Sequence, residues 1–131
     1  MLSVQYDATH HVALMSFSGE FGRPVIGMLD RFAQTLVAAR GPSHFLFDFS
    51  GIEHINMPDQ AVAARGRRRQ LCPGYKRVIV APQAELFGLF SLFGAAQARV
   101  GVTPPLLARS LDVGLMQFGL GKLDFKPIEA P

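Results

Sequence analysis

The 131-residue sequence predicts an α/β fold, a single domain with a mostly parallel sheet and four helices packed against it. Short apolar runs, typical of covered strands, alternate with longer segments whose apolar residues recur every three or four positions. The resulting order is two strands, then helix and strand in alternation, which favours right-handed strand-helix-strand crossovers. A chain of this length buries roughly two thirds of its unfolded surface in one core.

The spacing of apolar residues predicts a hairpin and then a helix at the N-terminus. Residues 2–6 and 12–17 alternate partly between apolar and polar side chains on either side of a short turn, which indicates a hairpin. From Val25 to Val37 the apolar residues follow helical spacing, and Gly41-Pro42 ends this helix.

The rest of the chain repeats one pattern, a buried strand followed by a helix that starts near a proline or a serine. Ser110 is the predicted N-cap of the last helix. We expect residues 1–121 to form the domain and residues 122–131 to be a loosely ordered tail. The predicted elements are a strand at 45–49, a helix at 58–71, a strand at 77–81, a helix at 85–100, a strand at 106–108 and a helix at 110–120.

Composition narrows the function classes. The net charge of +3 is too small for nonspecific electrostatic binding to nucleic acid. A single cysteine, Cys72, excludes an intramolecular disulfide and a thiolate metal cluster. The first residues lack a basic leader, and no apolar run approaches the ~18 residues of a membrane span. We therefore expect a cytoplasmic protein with no nucleic acid partner and no membrane span.

The positive charge is concentrated in one segment, which has no acidic residue. One interpretation is a solvated face whose cations complement a helix C-terminus. The other is a site for an anionic ligand, a phosphate or an acidic partner, with Arg65, Arg68 and Arg69 as candidates. This basic cluster consists of Arg65, Arg67, Arg68, Arg69, Lys76 and Arg77.

The strand-to-helix junction at residues 44–59 is where an open α/β sheet commonly places functional residues. A buried strand ends there in Asp48-Phe49-Ser50-Gly51, and we interpret Ser50-Gly51 as the turn that leaves the strand. The next helix begins at Asn56-Met57-Pro58-Asp59. This junction is one of two candidate partner-binding sites.

The order of elements and three segments resemble the STAS and SpoIIAA-like family, the fold of bacterial anti-sigma-factor antagonists. The resemblance covers nearly the whole chain and implies a non-enzymatic regulatory domain that works through protein contact. The segments are HFLFDFSGIEHI, YKRVIVAP followed by FGLFSLF, and LLARSLDVGLMQFG.

The junction departs from the pattern of this family. Antagonists controlled by phosphorylation carry Asp-Ser-Ser-Gly at the start of this helix, and a serine there accepts the phosphate. Pro58 has no hydroxyl, so the resemblance implies a domain that is not controlled by serine phosphorylation at the usual site. Asp59 places a permanent negative charge at the helix start, where it either satisfies free helix amides or imitates the phosphorylated state in sign.

Metal and cofactor chemistry have little support in the sequence. His10 and His11 are adjacent in a turn, whereas His44 and His54 lie roughly 30 Å apart if the chain between them is extended. There is no Gly-x-Gly-x-x-Gly motif and no P-loop. We expect neither a metal nor a cofactor. A hydrolase or lyase that uses His54 and Asp48, with Glu53 and Asp59 nearby, is the remaining enzyme hypothesis.

The predicted helix at residues 85–100 is apolar almost all round, whereas a helix in a layered domain needs only one apolar stripe. Three interpretations stay open: deep burial, a two-fold subunit contact, and a surface for an acyl chain. The small residues Gly88, Ser91 and Gly94 recur every three positions and form a shallow strip on the helix. Another backbone or an apolar ligand could approach the helix closely there. For a subunit contact the candidates are Phe87, Phe90 and Phe93.

Two functions are compatible with these patterns. The preferred one is a homodimeric interaction domain that contacts an unidentified regulatory protein or its own copy through residues 56–59 or 85–100. The alternative is a carrier of a small apolar or anionic, lipid-like ligand, with the Leu86–Phe93 helix lining its pocket and the basic cluster holding the head group.

Overall fold

The computed structural model describes residues 1–129, which form one mixed six-stranded sheet with four helices. The elements are β1 (Leu2–Asp7), β2 (Val12–Phe21), α1 (Arg23–Arg40), β3 (His44–Ile55), α2 (Asp59–Arg65), β4 (Arg77–Val80), α3 (Ala84–Arg99), β5 (Leu106–Ala108), α4 (Leu111–Met116) and β6 (Lys126–Ile128). The strand order is β5-β4-β3-β2-β1-β6. Strands β2 to β5 are parallel, and β1 is antiparallel to both of its neighbours. The predicted α/β class is confirmed.

The two faces of the sheet carry separate cores. Helices α1, α2 and α3 cover one face, where phenyl rings from β2, β3 and α3 pack together. Helix α4 and the segment after it cover the other face, above Leu46, Val78 and Val80. Cover on both sides explains the nearly continuous apolar runs of β3 and β4. Among residues 1–129, no helix is long and apolar enough to cross a membrane.

Local signals in the sequence set the helix ends. Helix α1 has Pro24 in its first turn and ends before Gly41, whose N–H donates to the carbonyl of Val37 at 2.8 Å and whose φ of 85° turns the chain out of the helix. The predicted cap of α4 is confirmed, since Ser110 Oγ accepts a hydrogen bond from Val113 N at 3.2 Å.

Helix α2 is shorter than predicted, because it ends at Arg65 rather than at Leu71. Gly66 follows it and packs tightly against α3, where an added Cβ would lie 2.8 Å from the carbonyl oxygen of Phe93. The three arginines that come next are exposed and add no apolar side chain to the core, so little favours further helical turns. Pro58 occupies the N-cap position rather than the first turn.

Strand β3 is longer than predicted, and the turn expected at Ser50-Gly51 is wrong. The strand continues to Ile55 beside an equally extended β2. The pairing shifts register near Gly51, where an added Cβ would lie only 2.9 Å from the carbonyl oxygen of Phe17. Glycine permits this approach, so the chain bends without leaving the sheet. The side chain of Gln83 donates to three β3 carbonyl oxygens at this bend.

The tail is more ordered than predicted. The prediction of a loosely ordered segment at 122–131 is wrong for Lys126–Ile128, which forms β6 and covers the edge of β1. The buried carboxylate of Asp7 ties this segment down by accepting hydrogen bonds from Asp124 N and from His10 N, both at 2.8 Å. Residues 130 and 131 lie outside the described part of the chain.

Helix α4 lies so close to the sheet that only glycine fits at position 114. An added Cβ there would lie 2.7 Å from Val80 Cγ2, whereas a Cβ at Gly88 of α3 would meet nothing within 4 Å. Gly114→Ala should therefore lower the free energy of unfolding by about 1–3 kcal/mol. The matched change Gly88→Ala should raise it by about 0.5–1 kcal/mol, since alanine favours a helix. Urea unfolding of both variants measures this, and equal stabilisation would contradict the close packing of α4.

The buried carboxylate of Asp7 makes stability depend on acid pH. Burial raises its pKa, but hydrogen bonds from Asp124 N, His10 N and the His10 side chain outweigh burial and lower the pKa from 3.8 to about 2. A pKa lower in the folded state stabilises the fold above the unfolded value, and this stabilisation is lost as pH falls from 3.8 to about 2. In urea unfolding across this range, Asp7→Asn should flatten the pH dependence, and the exposed control Asp112→Asn should not. Equal slopes in the two variants would refute this role.

Candidate functional site

A cavity of about 870 Å³ lies between the sheet and the three helices α1, α2 and α3. Its floor is built by the alternation of β3, which points Phe45, Phe47 and Phe49 to this face and Leu46 to the other. The rings of Phe45 and Phe47 stack with centroids 5.5 Å apart. Ile79, the register partner of Phe47 on β4, extends the same apolar floor.

The walls of the cavity come from the three helices and from the segments on either side of α2. Helix α1 contributes Ile26 and Leu29, and α3 contributes Phe90 and Phe93. The only cysteine of the chain, Cys72, is buried in the wall as well. These side chains offer no charge, so the interior suits an apolar molecule.

Charged groups also line the cavity, and they are mostly positive. Arg65 makes a two-pronged ion pair with Asp30 of α1, and Arg68 reaches the same carboxylate at 3.4 Å. Arg23 and Arg69 are exposed. The single acidic group is therefore already paired with two of the arginines. The charged lining residues are Arg23, Asp30, Arg65, Arg68, Arg69 and Arg77.

Arg77 differs from the other four arginines. It begins β4 opposite Phe45, and its guanidinium is half-buried beside the apolar floor. Its Nη2 donates to Gln97 Oε1 at 2.9 Å and to the carbonyl oxygen of Thr103. The amide oxygen of Gln70, in the orientation that its neighbours favour, accepts from the same guanidinium. Burial lowers the pKa of Arg77 from its ordinary value.

The predicted basic cluster is divided between the two faces of the sheet. The three anion-binding candidates, Arg65, Arg68 and Arg69, all line the cavity. Lys76 lies on the opposite face, where its Nζ donates to the carbonyl oxygens of Gln117 and Phe118 at 3.2 and 3.1 Å. For Lys76, the interpretation as a cation that complements a helix C-terminus is confirmed.

The strand-to-helix junction meets the cavity through one residue. Met57 is half-buried, packs against the core and lines the cavity, whereas Asn56, Pro58 and Asp59 are exposed. Asp59 stands in the first turn of α2, and no side-chain hydrogen bond caps this helix. Of the four predicted junction residues, the structure brings only Met57 to the cavity.

Helix α3 is not uniformly exposed or buried, and the prediction that Phe90 is available to a partner is wrong. Phe90 is 6% exposed and stacks on Phe49 with ring centroids 4.9 Å apart, because its side of α3 faces the sheet. Phe93 is half-buried at the cavity wall, and Phe87 lies half-buried beneath the guanidinium of Arg109. The exposed face instead contains Gly88, Ser91, Leu92 and Ala95.

The residues of the hydrolase hypothesis are not brought together. Asp48 and His54 stand six positions apart on β3, which separates them by roughly 20 Å along a strand. The carboxylate of Asp48 accepts hydrogen bonds from Ser50 N at 3.0 Å and Ser50 Oγ at 2.6 Å. Within residues 1–129, no three His, Cys, Asp or Glu side chains are placed to hold a metal ion.

Two features of the cavity are not predicted from the sequence: the wall formed by α1, and the half-buried position of Arg77 beside the floor. The signal for Arg77 was present, since it begins a buried β-branched strand whose alternate residues must share a face. The contribution of α1 had no comparable signal, because it depends on how far the helix stands from the sheet.

Comparisons with known proteins do not add to this description. A search of protein-family profiles found no match to the chain, and a search of curated proteins found no match either.

Proposed function

We propose that this chain is a binding domain that holds a small, lipid-like molecule in the cavity between α1, α2, α3 and the sheet. The observation that carries the proposal is the cavity itself, with a volume of about 870 Å³, an apolar floor and arginines among its lining residues. Binding sites for small molecules typically enclose about 300–1,000 Å³ and combine apolar walls with a few placed polar groups.

The arrangement of charge supports a ligand with one polar end. The apolar floor and walls favour a hydrocarbon portion, while five arginines and one aspartate among the lining residues leave an excess of positive charge. Burial of an acyl chain against phenyl rings is driven by removal of apolar surface from water. This combination favours the carrier interpretation of the sequence over the interaction domain.

Binding without catalysis also agrees with the resemblance to STAS-like domains. The acid-base candidates Asp48 and His54 lie apart on β3. The junction that carries the phosphorylated serine in such domains contributes Met57 to the cavity instead of a nucleophile. We propose that this STAS-like domain responds to a bound molecule rather than to phosphorylation at that junction.

Filling the cavity should prevent binding. Ala61 of α2 lines the cavity, whereas Ala39 of α1 is exposed and does not. Ala61→Phe should weaken binding of the neutral fluorescent probe N-phenyl-1-naphthylamine at least tenfold, because the added ring takes up space the probe needs. Ala39→Phe should leave binding unchanged. Fluorescence titration measures both, with urea unfolding as a check that each variant is folded.

Two results would overturn the proposal. One is the absence of saturable probe binding to the unmodified chain. The other is an equal loss of affinity in the two phenylalanine variants, which would place the probe outside the cavity. Native mass spectrometry of the protein purified from cells would give an independent reading, with a bound small molecule as the supporting result.

A homodimer formed through α3 is a second candidate. The observation in its favour is the exposed face of α3, where Leu92 is 45% exposed beside Gly88, Ser91 and Ala95. Small residues around one large apolar side chain allow two helices to approach closely. This surface is separate from the cavity wall made by Phe90 and Phe93, so a dimer and a bound ligand are compatible.

Two charge substitutions on α3 distinguish an interface from the core. Leu92→Glu should turn a dimer into a monomer and leave the free energy of unfolding nearly unchanged. Phe90→Glu should instead unfold the domain, because loss of a buried ring costs about 3–5 kcal/mol before the cost of burying a charge is added. Sedimentation velocity at micromolar concentration and urea unfolding measure these outcomes. An unmodified chain that sediments as a monomer would exclude the dimer.

A further inference from the structure

We infer that Arg77 is the head-group receptor of the cavity, and that the ligand it selects is a long-chain carboxylate. This inference rests on the proposed function, since it assigns the polar end of the molecule that the cavity holds. It separates Arg77 from Arg65, Arg68 and Arg69, which the sequence favoured as anion-binding candidates.

The state of each lining arginine supports this choice. Arg65 is already paired with the carboxylate of Asp30, and Arg68, which reaches the same carboxylate at 3.4 Å, has a side chain that is 68% exposed. Arg23 and Arg69 are exposed, where water screens a charge and reduces its value to a ligand. Within residues 1–129, Arg77 is the half-buried lining arginine that makes no ion pair. A partly desolvated cation of this kind gains most from an incoming anion.

The neighbours of Arg77 hold its guanidinium without neutralising it. The three groups that accept its hydrogen bonds, Gln97 Oε1, the carbonyl oxygen of Thr103 and the amide oxygen of Gln70, are all uncharged. Gln97 is itself only 3% exposed, so its amide is shielded from water. These bonds use Nη2 and Nε, so Nη1 keeps donors that no described residue accepts. A carboxylate oxygen can accept a charge-assisted hydrogen bond from this nitrogen.

The amount of charge favours a carboxylate over a phosphate monoester. A carboxylate brings one negative charge and matches the one half-buried guanidinium that has no ion pair, whereas a phosphate monoester carries close to two at neutral pH. The second charge would have to be met by exposed arginines or left partly desolvated, which is costly.

The sheet register places a path for the hydrocarbon chain beside this head-group site. Arg77 and Phe45 are register partners, and Ile79 and Phe47 are the next partners on the same face. Successive residues on one face of a strand are about 6.6 Å apart, so the row from Arg77 past Phe47 to Phe49 extends roughly 13 Å. A chain anchored at Arg77 would therefore lie over the ring of Phe47, the floor phenylalanine that is only half-buried.

The test is displacement of N-phenyl-1-naphthylamine at pH 8 by dodecanoate, dodecanol and dodecyl phosphate. The unmodified chain should release the probe at a dodecanoate concentration at least tenfold lower than that of dodecanol, and dodecyl phosphate should be weaker than dodecanoate. In Arg77→Gln the acid and the alcohol should become equal. The control Arg67→Gln, at an exposed position outside the cavity lining, should keep the preference.

A second variant guards against loss of folding in Arg77→Gln. Gln97→Glu places a carboxylate where the amide oxygen now lies 2.9 Å from Arg77 Nη2. It should neutralise the guanidinium internally, stabilise the ligand-free domain against urea and abolish the preference for dodecanoate, with probe binding retained.

The outcomes separate this inference from the proposed function. If the probe does not bind, the proposed function fails. If the probe binds but dodecanoate and dodecanol compete equally, or if Arg77→Gln or Gln97→Glu keeps the preference, only the assignment of Arg77 fails. Stronger competition by dodecyl phosphate than by dodecanoate would overturn the carboxylate assignment.

Discussion

The two-sided packing of β3 is the constraint on which the rest of the structure depends. Its alternation sends Phe45, Phe47 and Phe49 to one face and Leu46 to the other, so each side of the strand supports a different layer. The phenyl side carries three helices, and the Leu46 side carries α4 and the segment after it. The cavity lies on the phenyl side, between these rings and the helices.

Much of the fold could be predicted because its signals are local. Helical spacing, the Ser110 cap and the apolar run of β4 each depend on a few neighbouring residues. The largest failures depend on contacts between distant segments. The strand at Lys126–Ile128 exists because β1 offers an edge, and β3 continues beyond Gly51 because β2 extends beside it. Pairing of this kind has no signature in a short window of sequence.

The candidate site shows the same limit at the scale of side chains. Lys76 and Arg77 are neighbours in sequence and both belong to the predicted basic cluster, yet Lys76 reaches the end of α4 and Arg77 lines the cavity. Alternation along a strand predicts this separation in principle. Which of the arginines lacks an acidic partner could not be predicted, because Asp30 lies on α1, more than thirty positions from Arg65. The sequence of α3 is similarly ambiguous, because its apolar residues do not show which side of the helix packs on the sheet.

The position of Cys72 gives the molecule a built-in reporter. The chain has one cysteine, and that thiol is buried in the cavity wall. A polarity-sensitive dye attached through sulfur would therefore label a single position without any substitution in the sequence. The emission of the dye would report the polarity around residue 72 in different solvents and at different temperatures. The rate at which the dye attaches would report how often the helical layer opens. Opening of the helical layer over the cavity can thus be followed without any substitution in the sequence.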